Sequence, residues 1–197
     1  MSRAATTRLT RRYRKLDGDV ITRGLAWYPE AFRQMEALAA ETGYLTEQAV
    51  AVMAITSRAA HLTNNIRWTE IALRTNGTTP VGRFPNVMTP LVQAVLDNPL
   101  AIPVCVSGPK VEQFYRAIMG DEDAVVLDRW ALFAAGHGYG KRAPDPGPTW
   151  RAIEDAYRRA ARIVGVAVRD FQAIIWIAIR ESTKTQLGIV PRLSNIV

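Results

Sequence analysis

Three features of the sequence predict an all-α fold. Apolar residues recur at helical spacing through most of the chain after residue 28. Proline and glycine fall at the starts and stops of these runs, and extended candidates are few and short. The first helix begins at Pro29, with Phe32, Met35 and Leu38 on one face and Gly43 as its stop. Thr46 is placed to cap the next, in which Ala49 to Ile55 is apolar on every side, the mark of a helix in the middle of a domain. A third runs from Thr63 to Arg74 and ends at Asn76-Gly77. Thr89-Pro90 opens a fourth, which carries Leu91, Val92, Val95 and Leu96 until Pro99.

The fifth helix is the clearest. Pro109 stands at its start, and Val111, Phe114, Tyr115, Ile118 and Met119 follow the i, i+3, i+4, i+7, i+8 pattern before Gly120. The apolar stretch Val125-Val126-Leu127 leads into Asp128 and a sixth helix through Ala135. Residues 136–148 hold four glycines and three prolines and read as a loop. A seventh helix follows Thr149, with Ile153, Ala156, Tyr157, Ala160 and Val164 on its apolar face and Gly165 as its stop. Asp170 caps the eighth, whose apolar run reaches Ile179. Only Val104 to Val106 and Val125 to Leu127 read as extended, each too short to make a sheet alone. No period of 20–50 residues repeats.

The 197 residues fit one domain, at most with a small helical annex, and a composition 48% hydrophobic supplies a core that needs no metal or disulfide. The single cysteine, Cys105, excludes an intrachain disulfide and the usual cysteine-ligated zinc or iron–sulfur site, which suits a reducing cytoplasm. His61 and His137 are too isolated to suggest a metal site, and no cofactor is expected. The basic N-terminus lacks an apolar h-region, and no run approaches 18 apolar residues, so neither a secretory signal nor a membrane span is expected. The reading is a cytoplasmic monomer.

Net charge is +7, and it is unevenly spread. Residues 1–24 carry Arg3, Arg8, Arg11, Arg12, Arg14, Lys15 and Arg23 against Asp17 and Asp19, a balance of +5, leaving +2 on residues 25–197. The division expected from charge is a basic N-terminal arm, 1–24, on a helical domain, 25–197. An arm of this kind holds a polyanion by releasing counterions, and it lacks the apolar residues that would insert into a membrane. DNA or RNA is the preferred partner of such an arm, and DNA is the one carried forward. The plainer alternative is a solvated tail.

The segment Val104-Cys-Val-Ser-Gly-Pro-Lys110 is a short turn running into the N-terminus of the fifth helix, and Asp128 follows Lys110 by eighteen residues. With these residues and the helix order from about residue 46 to 183, the chain resembles the helix-hairpin-helix DNA glycosylase superfamily, the group of endonuclease III and the 8-oxoguanine glycosylases. Members with glycosylase and lyase activity carry a glycine-containing hairpin, a lysine at a helix start, and later an aspartate after a hydrophobic stretch. The matching residues here are Gly108, Lys110 and Asp128, the last within Val-Leu-Asp-Arg-Trp. The chain departs from the family in having Val106 at the earlier hairpin glycine and Pro109 where a basic residue is common, and it has no C-terminal four-cysteine cluster. The resemblance implies a helix-hairpin-helix glycosylase-like fold and excision of a damaged or modified base, such as a hydroxymethylated or glucosylated one. Phage relatives of the superfamily imply an alternative, modification of thymine or another base without excision. A third reading is a non-catalytic helical DNA-binding protein.

The same residues carry a physical argument. A hairpin that ends in a helix N-terminus presents backbone N–H groups and a positive dipole end to a phosphate, which makes Ser107 and Gly108 candidate DNA contacts. Lys110 in that first turn is electrostatically misplaced, a position expected to depress its pKa and favour attack on the sugar C1′. Asp128 would activate that amine, or a water, and stabilise positive charge on the sugar. The bland alternative is a solvated lysine and an ordinary N-cap. A flipped nucleotide needs a pocket of aromatic and polar side chains. Trp27, Tyr28, His61 and Trp68 are the candidate walls. Arg58, Asn64, Asn65 and Arg129 are candidate DNA contacts, and the family resemblance implies that Asn64 or Asn65 fills the gap left by the extruded base.

Overall fold

A computed structural model describes residues 2–138 and 147–186. Its described residues form helices joined by turns and irregular connections, with no strand among them: α1 (Ser2–Tyr13), α2 (Gly18–Thr42), α3 (Thr46–Thr56), α4 (Leu62–Arg74), α5 (Pro85–Asp97), a 3-10 turn (Pro99–Ala101), α6 (Ile102–Cys105), α7 (Pro109–Ile118), α8 (Arg129–Ala135), α9 (Pro148–Val164) and α10 (Val168–Gln186). The chain is all-α. None of the described helices is long and apolar enough to cross a membrane. The fold divides into two compact units, Met1–Trp27 with Leu127–Val197, and Tyr28–Val126.

Of residues 1–24, read from charge as an arm, 2–24 fold as α1, a short turn and the first part of α2. Ala5, Thr6, Leu9 and Thr10 of α1 are buried, and α1 packs on α8, α9 and α10. The face is short and half of it is threonine, so the arginines between its members hide its period. α9, on which α1 packs, buries Ala156, Ala160 and Ala161 around Tyr157, and small residues let helices approach closely. Tyr13 stacks on Phe171 of α10 with ring centroids 5.6 Å apart, and Tyr157 meets the same ring edge-on at 6.0 Å.

The helix placed at Pro29 starts eleven residues earlier, and Pro29 lies inside α2. A proline within a helix forfeits one bond, to the carbonyl four residues back. Pro29 and Leu25 are both exposed, so the lost bond falls on the solvent side of the helix rather than in the core. α5 likewise begins a turn before Thr89, at Pro85. Val104 and Cys105 belong to α6 rather than to an extended segment, while Val125 to Leu127 form no regular element.

In the second unit α3 is the hub, buried from Gln48 to Thr56 and packed by α4, α5, α6 and α7. Its two polar ends are satisfied. Gln48 accepts the Leu45 N–H at 3.0 Å and donates from Nε2 to the carbonyls of Val95 and Leu96, closing the last turn of α5. Thr56 donates to Asn65 Oδ1 at 2.7 Å, and the Thr69 hydroxyl donates to the Asn65 carbonyl. Buried polar groups without such partners would be costly.

Candidate functional site

The hairpin lies in the second unit. α6 ends at Cys105, Val106-Ser107-Gly108 turns, and α7 begins at Pro109. Gly108 is the N-cap of α7 at φ 94° and ψ 146°, a conformation that L side chains avoid, and an added Cβ would meet nothing within 4 Å. Ser107, Gly108 and Pro109 are exposed. The turn is braced by Arg58, whose Nη2 donates to the Ser107 carbonyl at 3.0 Å.

Lys110 is half-buried and points at another helix end. Its Nζ donates to the Ser57 carbonyl at 2.8 Å and reaches Ser57 Oγ at 3.3 Å. Ser57 is the C-cap of α3, the end that favours a cation. The strain expected from the N-terminus of α7 is therefore offset by the C-terminus of α3. The connection from α3 to α4 carries its own strain, since Ala59 sits at φ 53°, rare for a residue with a side chain.

The neighbouring candidates separate by burial. His61 is the exposed N-cap of α4, Asn64 is exposed, and Trp68 is half-buried. Asn65 is 3% exposed and is spent on Thr56 and Thr69, so it is a core residue and not a DNA contact. Tyr28, at 3% exposure, is core and not a pocket wall.

Asp128 lies in the first unit and caps α8. Its Oδ1 accepts from the backbone N–H groups of Trp130 (2.9 Å) and Ala131 (2.8 Å), while Oδ2 accepts from Trp176 Nε1 at 2.8 Å. Each carboxylate oxygen has two acceptor sites, so Oδ2 keeps one beyond the indole. Trp27 packs edge-on against Trp176 at 5.6 Å, and the Arg180 guanidinium sits 4.2 Å over the Trp176 ring. Burial lowers the Arg180 pKa, and the negative charges of Asp128 and Glu181 oppose that shift. Behind this group Tyr157 donates to the Ala131 carbonyl at 2.9 Å. Its phenol is pushed well above 10 by burial first and by Asp128 second. Arg129 is exposed beside the Trp130 ring.

The sequence-predicted residues thus form two groups: Arg58, His61, Asn64, Trp68, Ser107, Gly108 and Lys110 in one unit, and Trp27, Asp128 and Arg129 in the other. Trp176 and Arg180 join the second group unpredicted. Their i, i+4 spacing on α10 was visible, but a tryptophan in an apolar run reads as core. Among the described residues no three His, Cys, Asp or Glu side chains converge as a metal site requires.

The fold and the two groups define an all-α protein with an oriented carboxylate in an aromatic and cationic setting and a glycine turn braced by an arginine. Residues 1–183 match the family of unknown function DUF7178, and the chain belongs to that family. No curated protein and no solved structure matches it.

Proposed function

We propose that the chain is a DNA glycosylase that binds DNA through the α6–α7 hairpin and excises a damaged or modified base at Asp128. The observation that carries this reading is the carboxylate itself, fixed by three hydrogen bonds with an acceptor site to spare, one of them from Trp176, on which Trp27 and Arg180 pack. Indole faces suit an extruded base, and a fixed carboxylate suits the cationic sugar that forms as the bond to the base breaks. Water adds to C1′, the electron pair of the C1′–N bond leaves with the base, and the proton of the water passes to the carboxylate. Lys110, donating to the Ser57 carbonyl, serves as a phosphate-side cation, so the reaction is hydrolytic and forms no imine.

A second reading, a non-catalytic DNA-binding protein, is favoured by one observation: two of the three bonds to Asp128 are those of an ordinary N-cap. One experiment separates the two. Duplexes carrying ordinary, damaged, hydroxymethylated and glucosylated bases are incubated with the protein, and abasic sites are scored by alkaline strand cleavage. Release from one of them, lowered by orders of magnitude in Asp128→Asn with little loss of binding, is the expected result. Binding without release from any duplex leaves the non-catalytic reading standing.

A further inference from the structure

We propose that Arg8 and Arg12 of α1 form a fixed binding site for a phosphate oxyanion. The two lie one turn apart on one face of the helix, where side chains are neighbours and like charges repel. Arg8 is anchored: its Nη1 donates to the Ala135 carbonyl at 2.9 Å, at the C-terminal end of α8. The space it occupies exists because residue 136 is glycine, since a Cβ there would fall 1.3 Å from that nitrogen.

Arg12 is the anomaly. It is half-buried, and its Nε is buried with no hydrogen-bond partner. Among the described residues neither Arg8, Arg11 nor Arg12 forms an ion pair, while Arg23, Arg33, Arg74, Arg116, Arg159 and Arg169 all do. Burial first, and then the charge of Arg8, lower the Arg12 pKa. A desolvated guanidinium beside a second one costs stability unless an anion joins it. Two guanidinium forks match the oxygens of a phosphate, monoester or diester, better than any other common anion. The site does not depend on base excision.

The experiment follows thermal unfolding of the full chain in inorganic phosphate against chloride at constant ionic strength. The Tm of the parent rises with phosphate by mass action, about 3–6 °C at ten times the Kd. Arg12→Gln loses that rise, yet in chloride it unfolds at the parental temperature or above, because it removes an uncompensated charge. Arg12→Lys, which keeps the charge without the fork, recovers part of the rise. Three outcomes overturn the proposal: no phosphate effect on the parent, an undiminished effect on Arg12→Gln, or a lower Tm of Arg12→Gln in chloride, which makes Arg12 structural. The source of the phosphate is read on a 20-base-pair duplex. For a nucleic-acid phosphate the log–log salt slope falls by about 0.9 in Arg12→Gln. An unchanged slope, with the phosphate effect on Tm lost, assigns the site to free phosphate. The abasic-site assay reads Asp128 and this one reads Arg12, so either proposal fails without the other.

Discussion

Lys110 and Asp128 carry opposite charges, and each is held by the helix end that suits its sign. The carboxylate caps the N-terminus of α8, and the ammonium donates at the C-terminus of α3. For Asp128 this is compatible with chemistry, because Oδ2 retains an acceptor site. For Lys110 it favours a contact role, because an amine that attacks C1′ must leave Ser57 and lose its proton. Borohydride added to a reaction on intact substrate is therefore expected to trap no covalent complex. Lys110→Gln is expected to keep excising while binding DNA more weakly, and to lose about 0.5–1.5 kcal/mol of stability with the Ser57 contact. A trapped adduct that disappears in Lys110→Gln would restore the lysine as nucleophile.

At the scale of elements, α3 and α1 mark the two extremes of what a sequence discloses. α3 is apolar on every side, and burial follows directly from that. α1 buries only Ala5, Thr6, Leu9 and Thr10 between arginines, so its charge dominates the reading and its packing does not show. The stops at Gly43, Gly120 and Gly165 are legible because all three adopt positive φ. Starts inside proline-bearing helices are not, since Pro29 and Pro90 are tolerated away from the first turn. In the candidate site, the Asp128 cap and the Gly108 turn are local and could be read. The Asp128–Trp176 and Lys110–Ser57 bonds span 48 and 53 residues and have no local signature. The packing of α1 predicts that Leu9→Ala costs about 2–5 kcal/mol by urea unfolding, as a fully buried leucine should. Deleting residues 1–14 should unfold the first unit rather than only weaken DNA binding. A truncated protein with parental stability would return the segment to the status of an arm.

Over the whole molecule, many of the carboxylates are committed to nearby arginines in exposed pairs such as Glu41 and Glu70 with Arg74, or Asp155 with Arg159. Such pairs add little stability, so salt should affect partner binding far more than folding. Alkali is different, because the group it titrates is inside. Tyr157 is fully buried in the first unit, and its pKa stands well above 10 chiefly through burial. For an acid whose folded pKa is raised, the stabilisation is complete below the unfolded value, about 10, and is lost as pH climbs toward the folded value. One such proton corresponds to a slope of about 1.4 kcal/mol per pH unit in that window. Of the five tryptophans, Trp68 is the one in Tyr28–Val126, so a Trp68→Phe background leaves emission that reports the first unit. In that background Tyr157→Phe should lose about 0.5–1.5 kcal/mol at neutral pH, with the bond to the Ala131 carbonyl. Above pH 10 its stability should decline less steeply than that of its parent. Parallel alkaline limbs in the two proteins would mean that ionisation of Tyr157 does not govern the alkaline stability of the unit that holds Asp128.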